Sequence, residues 1–243
     1  MAKRLEKSGF WVTVTAVIFY PIAAIGKVVT RNAERIQRSD GMLLVMNHIS
    51  HLDPAVDAVF VHKNGRVPRF LAKESLFRVP LFKYLIRGAG SIPVYRRSAG
   101  AADSLEAANA SLSEGKLVVI YPEGTITTDP DGWPMRAHTG AARLALANDV
   151  AVIPIARWGT REIFNGYTRK FRPFPRKRIT INVGAPIDLS TYRDKPLTNE
   201  LLRQVTDLMM TEVQKLLAEV REEPAPAEFY NPARKKKDEE SAS

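Results

Sequence analysis

The sequence predicts an α/β protein: a mostly parallel central sheet flanked by helices, preceded by an N-terminal apolar, membrane-associated helical segment. Three observations carry this. Short apolar runs of strand length alternate with longer helical patterns, the signature of strand–helix–strand units. Runs such as Met42–Met46 and Leu117–Tyr121 are apolar almost throughout and read as buried strands. Finally, 243 residues with 45% apolar content supply one core.

The N-terminal segment comes first. Gly9 to Gly26 (GFWVTVTAVIFYPIAAIG) holds eighteen uncharged residues, preceded by Lys3, Arg4 and Lys7 and followed by Lys27, Arg31 and Arg35. A spanning helix needs ~20 apolar residues. Pro21 interrupts this run, and basic flanks on both sides give no orientation asymmetry. The segment therefore reads as lying in a membrane interface, with Trp11 and Tyr20 at headgroup depth. A secretory signal and a buried core helix are the competing readings; no small-x-small cleavage site is evident.

Arg31 to Asp40 (RNAERIQRSD) reads as a polar connector. Strands are expected at Leu43–Met46, Arg69–Ala72, Ser91–Val94, Leu117–Tyr121, Ala151–Ala156 and Ile179–Val183. Helices are expected at Pro54–His62, Leu76–Arg87, Ala101–Ser113, Thr139–Ala147 and Thr198–Glu222. Gly115 suits a helix stop and Thr198 an N-cap. Leu201, Leu202, Val205, Leu208, Met209, Val213, Leu216, Leu217 and Val220 form one stripe that reads as core packing. From Pro224 the chain turns Pro-, Ala- and charge-rich. The expected division is a membrane-associating segment and connector over 1–40, an α/β domain over 41–222 and a disordered charged tail over 223–243.

Lys and Arg number 36 against 26 acids, a net +10, which favours a polyanionic partner: nucleic acid, an acidic membrane surface or phosphorylated substrates. Cysteine is absent, which excludes disulfides, Cys-ligated zinc and thiol catalysis.

Four stretches could carry chemistry. In Asn47–Pro54 (NHISHLDP), His48 and Asp53 would stand ~140° apart on a straight helix, so they meet only if the chain turns. Asp53-Pro54 suits such a turn, with Asp53 as N-cap and Pro54 opening a helix. A His–Asp pair there is a general base with its orienting carboxylate; the plain alternative is a helix cap beside a loop histidine. A metal site would use His48, His51 and Asp53, but His62 and His138 lie in no ligand-like spacing and no metal is expected. In Leu117–Thr125 a strand runs into Pro-Glu-Gly-Thr, where Gly124 and Thr125 could present amides and a hydroxyl to a phosphate. Glu123 would repel that phosphate unless it binds hydroxyls or a cation; a tight turn with Glu in solvent is the plain reading. Gly88–Arg97 ends a strand in Arg96 and Arg97, a phosphate site or a solvated edge. Arg157–Arg178 mixes eight Lys/Arg with Trp158, Phe164, Tyr167, Phe171 and Phe174. That suits single-stranded nucleic acid or a bilayer surface, and the apolar segment favours the bilayer.

Taken in order, these blocks resemble the glycerophospholipid acyltransferase family, most of all its lysophosphatidate branch. NHISHLD matches the family's Asn-His-x-x-x-x-Asp block; GSIPVYR, YPEGT and VIPIA resemble the three that follow, over about residues 40–190. The resemblance implies acyl transfer from a thioester, acyl-CoA or acyl carrier protein, to a glycerol hydroxyl, with phosphatidate as product. No cofactor is implied. It makes His48 the base and Asp53 its partner, and carries Asn47 and Ser50 into the substrate site with the block. Arg96, Glu123, Gly124 and Thr125 map onto positions associated with the acceptor's glycerol phosphate, and Lys73 sits where the family often has a lysine. Expected partners are membrane lipids and the acyl donor, with no nucleic acid, at the cytoplasmic face of the cell membrane as a peripheral or monotopic protein. Two positions depart from the pattern. Ile126 follows Thr125 where Arg is usual, and His138 stands where relatives commonly have Lys. Both leave open another lysophospholipid or a glycolipid as acceptor; a non-enzymatic basic binding module is the remaining alternative.

Overall fold

The computed structural model describes residues 5–95 and 100–234. In chain order its elements are α1 (Phe10–Ala24), β1 (Lys27–Arg31), β2 (Met42–Met46), α2 (Asp53–Lys63), β3 (Pro68–Lys73) and α3 (Phe82–Gly88). There follow β4 (Ile92–Val94), α4 (Gly100–Ser113), β5 (Leu117–Ile120), α5 (Gly140–Ala147), β6 (Ala151–Trp158) and α6 (Thr160–Ile163). The short strands β7 (Phe164–Asn165) and β8 (Lys170–Phe171), then β9 (Arg178–Val183), α7 (Ser190–Arg193) and α8 (Asn199–Arg221) complete the series.

Seven strands form one sheet in the order β1-β9-β6-β2-β5-β3-β4. All pairings are parallel except β6 with β9, so β1 and β9 run against the other five. The period of two along a strand sends alternate side chains to opposite faces. Leu43, Val45, Val118 and Ile120 pack with α5 and α8 on one face. Met42, Leu44, Met46 and Val119 pack with α2 and α1 on the other. Both faces are covered, which is why the central strands are apolar throughout. Leu201, Leu202, Val205, Met209, Val213 and Leu217 of the α8 stripe are buried, with Leu208, Leu216 and Val220 half-buried beside them, and the Thr198 hydroxyl accepts the Leu201 amide at 3.1 Å as its N-cap.

The structure differs from the sequence reading in three places. The helix expected over Leu76–Arg87 is a 3-10 turn, Glu74–Arg78, followed by α3. Pro80 lies between them; it has no amide hydrogen and pushes Val79 into extended backbone. Lys27–Arg31 is not part of a membrane segment or connector but an edge strand paired with β9. The connector that follows buries Ile36 completely. The start of the tail also docks: Phe229 packs on the core, and the Tyr230 carbonyl accepts the Arg136 amide at 2.9 Å.

Helix α1 rests on the domain, with Trp11 stacked on Tyr84 of α3 and Tyr20 bonded to His62 of α2 at 3.0 Å. Among the described residues, no helix is long and apolar enough to cross a membrane. Phe10, Val17, Leu81 and Phe174 nevertheless stand 70–80% exposed.

Gly159, between β6 and α6, sits at φ +104°, and a Cβ there would come within 2.0 Å of the Arg178 carbonyl oxygen. Backbone in that region alone costs about 1–3 kcal/mol for a residue with a side chain. Gly159→Ala is therefore expected to lose at least about 2 kcal/mol in denaturant unfolding. Wild-type stability would show that β9 yields freely at this point.

Candidate active site

The adjacent parallel strands β6, β2 and β5 end at the same edge of the sheet, where α/β folds place their ligands. The chain leaving β2 carries Asn47 to Asp53; that leaving β5 carries Tyr121 to Thr125; β6 ends in Arg157 and Trp158. The site is assembled from these three strand ends.

Asp53 is its hub. The carboxylate is fully buried, and its Oδ2 accepts from His48 Nδ1 at 2.8 Å, Ile49 N–H at 2.7 Å and Ser50 N–H at 2.8 Å. Arg157 Nη2 lies 2.9 Å from the same oxygen, and the Thr160 hydroxyl donates to Oδ1 at 2.5 Å. Burial by itself would raise this carboxyl; the Arg157 charge, the His48 bond and the Thr160 hydroxyl outweigh it and bring the pKa down to about 2. Asp53 is thus ionised at neutral pH and can only accept, which fixes the His48 proton on Nδ1 and leaves Nε2 as the basic nitrogen. The helix begins at Asp53 itself, with Leu52 at the N-cap position and no side-chain cap bond. The expectation that Asp53 serves as a forward-facing N-cap is corrected: the carboxylate turns back and ties down the preceding loop.

Behind the pair lies a second buried group that the sequence reading did not assemble. Asp57 stands one turn after Asp53 on α2 and is also fully buried. Arg157 Nη1 pairs with its Oδ2, the Tyr121 hydroxyl donates to the same oxygen at 2.5 Å, and Arg157 Nη2 donates to the Asn47 carbonyl at 2.6 Å. The Tyr121 ring stacks on His48, with centroids 4.4 Å apart and planes 16° from parallel. Burial opposes the Arg157 charge, but Asp53 and Asp57 hold its pKa above the ordinary value. Burial pushes the Asp57 carboxyl up, and burial with Asp57 alongside pushes the Tyr121 hydroxyl well up. Arg157 therefore does not belong to the basic surface stretch in which the sequence places it. A charge after an apolar strand, and a second Asp at i+4 on a largely apolar helix, were the available signals.

Three side chains expected at the substrate make internal bonds. The Asn47 side chain is buried and bonds both ways to the Arg157 backbone, at 2.9 and 2.8 Å. The Ser50 hydroxyl donates to the Phe164 carbonyl at 2.7 Å. Glu123 is buried rather than in solvent: its carboxylate accepts His48 N–H at 2.9 Å and Met135 N–H at 3.0 Å. Burial pushes Glu123 up to about 8, against those two donors. These bonds shape the loops around His48.

His48, Lys73, Gly124 and Thr125 line one cavity of about 600 Å³. From His48 it extends between α1 and α2 along apolar residues that include Val12, Ala16, Phe19, Leu52, Ala58 and Phe70. Gly124 takes φ +73° in its turn, and Thr125 is exposed. Ile126 is buried against the same cavity. Arg96 and Arg97 lie outside the described residues. His51 is exposed at the cavity rim against Phe164, and among the described residues no three His, Asp or Glu side chains gather as metal ligands.

Residues 27–158 match the model of the family described as Acyltransferase. The chain belongs to the acyltransferase family. Similar acyltransferase relatives include a 1-acyl-sn-glycerol-3-phosphate acyltransferase of Borreliella burgdorferi, 28% identical over 57% of this chain and 54% of the relative. Another is the N-acylphosphatidylethanolamine synthase of Arabidopsis thaliana, 29% identical over 60% of this chain and 56% of that one. A 1-acyl-sn-glycerol-3-phosphate acyltransferase of Streptococcus pneumoniae is 25% identical over 79% and 66%. The chain thus spans about half the length of the first two curated relatives and just under two thirds of the third. The fold is that of the 1-acyl-sn-glycerophosphate acyltransferase PlsC from Thermotoga maritima, with a TM-score of 0.68 and 21% identity over 88% of this chain and 81% of that one.

The Asp53 arrangement has a pH consequence. Its folded pKa, about 2, lies below the ordinary 3.8, so its stabilisation is complete above about pH 4 and disappears as the pH falls through 2. Over that window about 2 kcal/mol should be lost. Asp53→Asn should flatten this acid limb in denaturant titrations at stepped pH; an unchanged limb would place the coupling elsewhere.

Proposed function

We propose that this protein transfers a fatty acyl group from a thioester, acyl-CoA or acyl carrier protein, to the free hydroxyl of 1-acyl-glycerol-3-phosphate, giving phosphatidate. The observation that carries this reading is the 2.8 Å His48–Asp53 pair at the wall of a largely apolar cavity that also reaches Lys73. The two relatives named as 1-acyl-sn-glycerol-3-phosphate acyltransferases support it.

In the proposed step, His48 Nε2 removes the acceptor's hydroxyl proton as that oxygen attacks the thioester carbonyl. The new C–O ester bond forms, the C–S bond breaks, and the thiolate leaves with the proton returned by His48. General-base catalysis of this kind contributes ~10²–10⁴-fold. Asp53 holds the ring. The acyl chain occupies the apolar cavity along α1 and α2, and Lys73, with Arg96, offers positive charge to the acceptor phosphate. Gly124 and Thr125 border the acceptor. No cofactor is needed; the carrier thioester is the second substrate.

Helix α1 provides the membrane association and presents Phe10, Val17 and Ile18 outward. The exposed Tyr167, Phe171 and Phe174, among Arg169, Lys170 and Arg172, suit anionic headgroups better than nucleic acid, because they adjoin the same apolar helix: Arg176 donates to the Ala24 and Gly26 carbonyls. We propose that the protein acts at the cytoplasmic face of the cell membrane as a peripheral or monotopic enzyme, with β1 to α8 as its acyltransferase domain and the residues after Tyr230 as a tail.

A second reading keeps the chemistry and changes the acceptor to another lysophospholipid or a glycolipid. Ile126 favours it, since an apolar side chain lines the cavity where an arginine would bind phosphate. The relative named as an N-acylphosphatidylethanolamine synthase is consistent with a broader acceptor range.

His48→Ala should abolish acyl transfer while retaining a cooperative unfolding transition; near-normal turnover in that variant contradicts the mechanism. Lysophosphatidate, other lysophospholipids and glycolipid acceptors offered in competition should show lysophosphatidate preferred, and a strong preference elsewhere selects the second reading. Ala58→Phe, which fills the cavity wall, should shift the preferred acyl chain toward shorter lengths at unchanged acceptor choice; an unshifted profile would place the chain outside this cavity.

A further inference from the structure

Helix α2 brings two buried carboxylates onto one face, Asp53 and Asp57, four residues apart and both at 0% exposure. Like charges that close cannot both stay ionised without a counter-charge. Among the described residues, Arg157 is the cation paired with either of them, and it pairs with both. Its remaining donor contact, to the Asn47 carbonyl, fixes the residue immediately before His48. Asn47 in turn clamps the Arg157 backbone, so β6 and the His48 loop are locked to each other from both sides.

We infer that Arg157 is a positioning residue for the His48–Asp53 pair: wedged between Asp53 and Asp57 and bonded to the Asn47 carbonyl, it balances the two carboxylates and holds in place the one that orients His48. This rests on the proposal that His48 is the general base. The other groups facing His48 are accounted for. Tyr121 stacks on the ring and is engaged with Asp57; Glu123 touches His48 at its backbone amide and, pushed up to about 8, titrates on the basic side of the acidic limb; Lys73 and His51 stand around the cavity. Arg157 offsets the charge of the two carboxylates; its removal leaves them uncompensated, so the cluster of Asp53, Asp57 and His48 holds a proton to higher pH and the acidic limb of the rate moves up.

A purely structural ion pair would also cost stability when broken, so the test reads proton affinity rather than folding. With the full-length protein in detergent, a long-chain acyl-CoA and lysophosphatidate, kcat and KM are measured from about pH 5 to about pH 9 for wild type and variants. Arg157→Gln should lower kcat about 10–100-fold with KM nearly unchanged, and move the acidic limb of the rate profile up by about one pH unit. Arg157→Lys keeps the charge but not the planar fork; it should hold the limb near wild type and recover part of kcat. Asp57→Asn removes one carboxylate and should move the limb the other way, to lower pH. A folded Arg157→Gln variant whose limb stays at the wild-type position overturns the inference, as does an Arg157→Lys limb that follows Arg157→Gln. Should Arg157→Gln fail to fold, Asp57→Asn decides: a lowered limb supports the inference and an unmoved limb overturns it. A wild-type profile without an acidic limb, or full turnover by His48→Ala, defeats the base reading itself; an immobile limb defeats only the role of Arg157.

Discussion

A single buried oxygen organises this site. Asp53 Oδ2 gathers the His48 ring, two loop amides and the Arg157 guanidinium. A charge out of water is tolerated only when hydrogen bonds and counter-charge replace the hydration it lost. Meeting that demand folds residues 47–52 back over the start of α2, where the helix N-terminus adds further stabilisation for an anion. The loop is therefore shaped by the electrostatics of one carboxylate, and the imidazole is oriented by the same bonds. Thr160, presented just after Gly159 at the end of β6, satisfies the other oxygen.

The frame around this carboxylate is set by topology. Three adjacent parallel strands must end together, and their following segments must meet above that edge. Each supplies a different part: β2 the His–Asp pair, β5 the stacked Tyr121 and the Glu123 brace, β6 the cation. Helix α1 then closes the site from outside the sheet, forming one wall of the cavity that begins at His48. The segment proposed to touch the bilayer is thus also the segment along which an acyl chain would lie, so substrate drawn from a membrane would meet the base without crossing bulk water.

Much of the fold was legible because burial leaves its mark on composition. The apolar runs of β2, β5 and β6 can be nothing but interior, and the α8 stripe follows its period turn by turn. The spacing of His48 and Asp53 was legible too, since a turn-forming Asp-Pro follows a strand. What was not legible is charge that faces inward. Arg157 heads a stretch of eight basic residues, seven of which lie outside the site's core, and only the third dimension shows its two carboxylate partners. Glu123 and Asn47 look like ligand contacts for the same reason: a polar side chain in a loop gives no sign of whether it turns toward substrate or toward backbone amides. Strand β1 was hidden by its neighbour, because KVVTR after an apolar run reads equally as the charged flank of a membrane segment.

The central claim is that Asp53 fixes the proton of His48 on Nδ1 and leaves Nε2 bare. Imidazole ¹⁵N–¹H correlation spectra of histidine-labelled protein at neutral pH, with His48 assigned by its loss in the His48→Ala variant, test this most directly. The account predicts a His48 ring protonated at Nδ1 and unprotonated at Nε2, and collapse to a mixed tautomer in Asp53→Asn. A wild-type His48 protonated at Nε2, or averaging between tautomers like free histidine, would contradict it.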